Sequence, residues 1–460
     1  MNNEPKLDFI SGDTKKCLAA MALPLMAAMF LNMAYNLVDS LWIGNLLGER
    51  AYAALTNATP VILILSSIAM GASNGVSILL SQAVGAGKKE TAEKMITTSL
   101  LAAIVFSLGL TLLLELLLRP ILGLLGTPDE LMPMAWQYLA IYLSGYLAVF
   151  LYCYFTAVLR SFGNSVFQVV AILICTVLNA VLDPVFIHLM GFRGAAVATV
   201  LSQALCLVFM LAYLARKKFF HLRLRQFDKS LLLPFIAKGV PSAFQQSIPA
   251  ISTSFLTSLV TGYGISALAA YGITGKLETI LFYPAMAFNM ALTSIVGQCT
   301  GAKRYDRARD YMKASLLSGT ALLLVLSALV TVFARPLALL FVDSLQAAEI
   351  VAVYFRIVGV GYLLNTLTNC FLGSLNGMGR PSQSLLCMVL YYLVVRMPLA
   401  WLLSHLGFGL EGIWTAVLIS HVIAAAASAF AALRQLHAQK TVHMEVENCL
   451  LYTSDAADEL

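Results

Sequence analysis

The sequence predicts an all-α polytopic membrane protein: twelve transmembrane helices in two six-helix bundles, related by a pseudo-twofold axis along the membrane normal. Three observations predict it. Of the 460 residues, 60% are AVILMFWYC and only 11% are charged, against about 25% charged in ordinary soluble domains, and the mean hydropathy is +0.84. The apolar residues fall in stretches longer than the roughly 18 needed to cross a bilayer. The chain also matches itself at one constant offset over most of its length.

Uninterrupted apolar stretches between charged or Gly/Pro-marked turns place the first six helices near 16–46, 51–83, 92–118, 130–156, 165–190 and 194–215. The second six fall near 231–262, 266–298, 308–334, 346–375, 382–405 and 411–436. The stretch RKKFFHLRLRQFDKS, residues 216–230, is expected to be a basic cytoplasmic linker between bundles 1–215 and 231–437. Residues 438–460 form a polar tail, expected to be disordered from about Thr441. The first apolar run, from Leu18, outlasts a signal-peptide core, so the N-terminus is expected to stay attached.

Lys and Arg accumulate in cytoplasmic loops. One set of helix ends, including Lys15, Lys16, Lys88, Lys89, the linker and the run from Lys303 to Lys313, holds 22 of the 29 basic residues. The opposite ends hold Arg50, Arg119, Arg193 and Arg335. Both termini are therefore expected on the cytoplasmic side. The net charge of +6 is accounted for by topology beside anionic lipid, and no nucleic-acid partner is implied.

Ser81–Ala92, SQAVGAGKKETA, aligns with Gly297–Ala308, GQCTGAKRYDRA, at an offset of 216. The same offset pairs Gly48 with Gly264, Arg119-Pro120 with Arg335-Pro336, Gly145-Tyr146 with Gly361-Tyr362, Gly163 with Gly379 and Gly191-Phe192 with Gly407-Phe408. Six spans per repeat is an even number, so both halves share one orientation, which is an architecture of transporters.

Ionisable groups within spans cost at least a few kcal/mol and are functional candidates. They are Asp39, Glu115, Asp183, Lys276, Glu278, Arg356 and Arg396. Asp39 and Asp183 each stand about seven residues, roughly 10 Å, from the outer end of an outward-running helix. Thr199 reaches the same level from the opposite direction, and Asn179 shares a face with Asp183. Such oxygen ligands suit Na+ or a carboxylate-borne proton. No other cofactor is implied, and the eight scattered cysteines show no CxxC or metal-ligand spacing. Pro184 removes a backbone donor beside Asp183. Tyr35 and Asn36, with Gln245 and Gln246 in the seventh helix, Glu278 in the eighth and Tyr362 and Asn365 in the tenth, are candidates for a substrate cleft. Glu278 is expected to pair with an arginine.

YNLVDSLWIGNLLG, the SQAVGAGKKETA turn with its copy, LNAVLDPVFI and GFRGAAVATVLSQ together resemble signatures of the MATE (multidrug and toxic compound extrusion) transporters, up to about His437. The resemblance implies a cation-coupled antiporter. In the prokaryotic branch with this LDP helix, it assigns coupling to the residues matching Asp39, Asn179, Asp183 and Thr199. Other branches use acids in the seventh and tenth helices, where this chain has none. The expected function is export of cationic amphipathic compounds across the cytoplasmic membrane, by a monomer, in exchange for H+ or Na+. The alternative is a lipid-linked precursor flippase of a related superfamily branch, for which a cation-rich cleft would be expected in both halves. An enzyme is disfavoured, since no HExxH or GxSxG motif occurs.

Overall fold

The computed structural model describes residues 7–217 and 224–458. Lys6 and, within the basic linker, residues 218–223 lie outside the described residues, including His221. The described residues are almost entirely helical and contain no strand. The helices of the first half are α1 (Thr14–Leu47), α2 (Glu49–Gly85), α3 (Lys89–Leu124), α4 (Met132–Ser144), α5 (Tyr146–Ser161), α6 (Val166–Met190) and α7 (Phe192–Lys217). The second half has α8 (Leu232–Thr261), α9 (Ile265–Gly301), α10 (Tyr305–Val332), the short α11 (Ala334–Leu339), α12 (Leu345–Val358), α13 (Gly361–Gly377) and α14 (Pro381–Val389). A π-helical segment, Leu390–Arg396, leads into α15 (Met397–Leu403), and a second, Ser404–Phe408, leads into α16 (Gly409–Asp458). Thus α16 continues as helix through the stretch from Thr441 expected to be disordered.

These helices make twelve spans. Seven, α1, α2, α3, α6, α7, α9 and α10, are each long and apolar enough to cross a bilayer. Two more are bent pairs: α4 with α5 at 49° and α12 with α13 at 54°. The 30-residue α8 is another. The apolar stretch Pro381–Thr441 supplies the last two, because Gly407 (φ 88) and Gly409 (φ 59) interrupt the helical path between them. On α3, exposed Val105, Leu112, Leu116 and Leu124 present an apolar face that only lipid satisfies.

The repeat is visible in the backbone. Left-handed φ values occur at Gly48, Gly87, Gly163 and Gly191, and again 216 residues later at Gly264, Lys303, Gly379 and Gly407. The two bent spans break at Gly145 and between Val358 and Gly361, which are repeat-equivalent places. Three of these four pairs keep glycine in both halves, where a positive φ favours it, and the fourth sets Lys303 against Gly87. Lys303 is the one described non-glycine residue with positive φ.

Contacts divide the chain into two compact units. The first-half unit holds Ala20–Leu80 and Lys88–Ser247, and the second-half unit holds Met1–Ala19, Ser81–Gly87 and Ile248–Leu460. The division falls inside α8, between Ser247 and Ile248. In the first-half unit, the Tyr146 hydroxyl donates to the Leu65 carbonyl at 2.9 Å, tying α5 to α2, and the Tyr154 hydroxyl donates to the Ile96 carbonyl at 2.8 Å, tying α5 to α3. Within the second-half unit, the end of α2 meets the end of α9. Gly85 lies against the Gln298 backbone and Gly301 against that of Gln82, while the Gln82 amide donates to the Gly377 carbonyl at 2.8 Å. Its apolar core gathers around buried Trp414, Tyr354, Tyr362 and Phe355.

Candidate functional site

In the first-half unit three helices bring the sequence-predicted acids to one buried place. Asp39 lies eight residues before the end of α1, Asp183 seven before the end of α6, and Thr199 seven after the start of α7. The α6–α7 connection sets this register. Gly191, with φ 62, turns the chain back at once, and Gly194 rests against the backbone of Phe186 and Ile187, where a Cβ would collide. Helix α6 continues without interruption through Pro184. The proline ring nevertheless leaves the Ala180 carbonyl without its helical N–H partner.

Asp39 is 9% exposed, Thr199 4%, and Asn179 and Asp183 are wholly buried. The Asn179 amide donates to Asp183 Oδ1 at 3.0 Å, and the Thr199 hydroxyl faces Asp39 Oδ1 at 3.5 Å. The two carboxyl groups lie within hydrogen-bonding reach of each other. Asp183 Oδ2 and Asn179 Oδ1 are buried acceptors that meet no donor among the described residues. No salt bridge reaches either aspartate among the described residues, so the cluster presents oxygen lone pairs to one another without a positive charge between them. Two carboxylates in such contact require a proton or a metal cation to bridge them. The donor set is all oxygen, as a small hard cation prefers.

Residues that sequence reasoning passed over complete this cluster. Tyr138, 2% exposed on α4, interacts with Thr199, Asp39 and Tyr35. Ser202 is buried one turn beyond Thr199, and its hydroxyl donates to the Thr199 carbonyl at 2.9 Å. A tyrosine in an apolar helix reads as core in sequence, and only the meeting of α4 with α7, marked by the Tyr138–Phe192 ring pair at 5.1 Å, brings it to the acids. Tyr35 is buried beside Thr199 and Ser202. Asn36, by contrast, is exposed and donates to the Asn32 carbonyl at 2.9 Å on its own helix. One step along a helix turns a side chain by about 100°, which separates Asn36 from the Tyr35–Asp39 face. Gln245 and Gln246 stand on the part of α8 that belongs to the same unit, with Ser67 donating to the Gln246 carbonyl at 3.5 Å.

The remaining candidates lie in the second-half unit. Glu278 on α9 does not form the expected arginine pair. Its Oε1 accepts hydroxyls of both Tyr354 and Tyr362, each at 2.5 Å. Arg396 is occupied elsewhere. It donates to Ser420 Oγ at 3.0 Å and to the Tyr391 hydroxyl at 2.7 Å, and it lies over the Tyr391 and Tyr392 rings at 4.7 and 4.6 Å. The π-helical turn that carries all three residues sets this stacking, and nothing in the apolar periodicity marks it. Arg356 pairs with Glu349 at 3.3 Å on an exposed surface, and Lys276 lies over the Phe341 ring at 5.3 Å. Asn365 is buried and accepts the Asn369 amide at 2.6 Å.

Comparison with known proteins follows the repeat. The family model MatE matches twice, over residues 24–185 and 241–402. The probable multidrug resistance protein YpnP of Bacillus subtilis is 29% identical over 441 residues, covering 92% of this chain and 95% of that one. A protein named FAD transporter from Shewanella oneidensis is 28% identical over 430 residues, covering 90% and 93%. The solved structure of the Vibrio cholerae MATE transporter VcmN superposes with a TM-score of 0.88 at 25% identity, covering 92% and 97%.

Proposed function

The chain belongs to the MATE family of multi-pass membrane proteins, and on that premise we propose that it exports cationic amphipathic compounds by cation-coupled antiport. Asp39, Asn179, Asp183 and Thr199 are the coupling site, for H+ or Na+. The observation that carries this reading is the contact between two buried carboxyl groups, beside Asp183 Oδ2 and Asn179 Oδ1 that meet no donor. A cation entering from outside neutralises the pair and satisfies those lone pairs. Tyr35, Tyr138 and Ser202 stand around it. The neutralised cluster no longer attracts a positively charged compound, so drug and coupling cation weaken each other's binding by the same factor. Gradient energy enters through that reciprocity, with no cofactor and no covalent step.

Substrate class follows from charge. The first-half unit offers acids, with Gln245 and Gln246 as neutral polar contacts, and aromatic side chains give a planar cation surfaces to stack on. Expression in a pump-deficient bacterial host should raise tolerance to ethidium-like dyes several-fold. Movement of only anionic substrates, such as a flavin nucleotide or a sugar-linked lipid, would overturn this reading.

Residence in the cytoplasmic membrane with both termini inside is part of the same proposal, supported by the distribution of Lys and Arg. In a cysteine-free background, a single cysteine at Asp343 should react with impermeant reagent from outside only, and one at Lys88 from inside only. The reverse pattern would invert the orientation.

A further inference from the structure

We propose that Glu278 is a proton-binding site of its own within the second-half unit, distinct from the Asp39–Asp183 pair, in which one carboxylate clamps the two arms of a bent span. The inference rests on the geometry of this unit alone. Tyr354 lies on α12 and Tyr362 on α13, on either side of the 54° bend, and both hydroxyls donate to the same oxygen, Glu278 Oε1. The other oxygen, Oε2, receives no donor among the described residues, and Glu278 is half-buried. It therefore keeps a lone pair free for a proton.

The surroundings favour a proton over a metal cation. Both tyrosines already spend their hydroxyl hydrogens on Oε1, which leaves a single carboxylate oxygen where a metal ion needs several. Arg396 adds positive charge at longer range without a salt bridge to Glu278. Its guanidinium is held by Tyr391, which also bonds His421 Nδ1 at 2.6 Å. His421 in turn lies beside the Tyr362 ring at 5.9 Å. Tyr271 of α9 and Tyr392 of the π-helical turn also act on Glu278 electrostatically, whereas Lys276 is turned to Phe341. Proton uptake on Oε2 removes the charge that both hydroxyls bind and so weakens the clamp across the bend.

Infrared difference spectra of the full chain, acid minus alkaline, test this directly. A protonated-carboxyl band should be lost in Glu278→Gln and kept in Asp183→Asn. Tyr354→Phe and Tyr362→Phe each remove a donor that favours the charged form, so each should raise the proton affinity read from that band about tenfold. Retention of every carboxyl band in Glu278→Gln would overturn the proposal, as would a midpoint unmoved by both tyrosine variants or one that follows His421→Gln instead.

Discussion

Asp183→Asn and Asp39→Asn should each abolish gradient-driven export while the protein still reaches the membrane. Each substitution removes a charge from a buried oxygen cluster that has no cationic side chain to compensate. Losing one charged ligand to the bound cation costs about 3 kcal/mol, roughly a hundredfold in cation affinity. Asn179→Ala should cost less, about tenfold, because it removes one neutral donor and one unfilled acceptor. Thr199→Ala should be milder still, since its hydroxyl stands at 3.5 Å from Asp39. Glu115, half-buried on α3, is the control: Glu115→Gln should leave transport near the parent level. Export of an ethidium-like dye from energised vesicles checks the series.

Gly194→Val should be nearly as damaging, by a different physical route. A side chain there meets the backbone of Phe186 and Ile187 on α6, which cannot rotate away as a flexible side chain could. Overpacking of this kind costs about 1–3 kcal/mol, and relief by separating α6 from α7 draws Thr199 away from the aspartates. Both the melting temperature and export should fall. Gly123→Ala on α3, where nothing lies within 4 Å, should change neither. Equal behaviour of the two variants in both assays would mean that the α6–α7 approach does not position the site.

Much of this was legible in the sequence because a membrane leaves the chain few choices. Apolar length gave the spans to within a few residues at most ends, and the 216-residue offset paired the glycines at which the structure places both bends and three of the four paired left-handed turns, though the pairing itself said nothing of backbone conformation. Depth counting along helices gave Asp39, Asp183 and Thr199, since rise per residue is fixed. Rotation was harder. Tyr35 and Asn36 read alike as cleft candidates near Asp39, yet the helix turns Tyr35 and Asp39 inward and leaves Asn36 exposed. The partners of Glu278 were missed for another reason. Charge suggests an arginine, whereas a buried carboxylate can be satisfied by two tyrosine hydroxyls that look like core in an apolar segment. Nor does hydropathy reveal a π-helical turn, because widening the turn alters which residues meet without altering composition.

The central claim is that the Asp39–Asp183 cluster binds the cation whose gradient drives export. Purified protein in vesicles, with Na+ and H+ gradients imposed separately, tests it most directly. One of the two gradients should drive dye exchange in the parent and fail to do so in Asp39→Asn and Asp183→Asn, while Glu278→Gln retains coupling to it. Normal coupling in both aspartate variants together with a dead Glu278→Gln would contradict the account and move the coupling site to the second half.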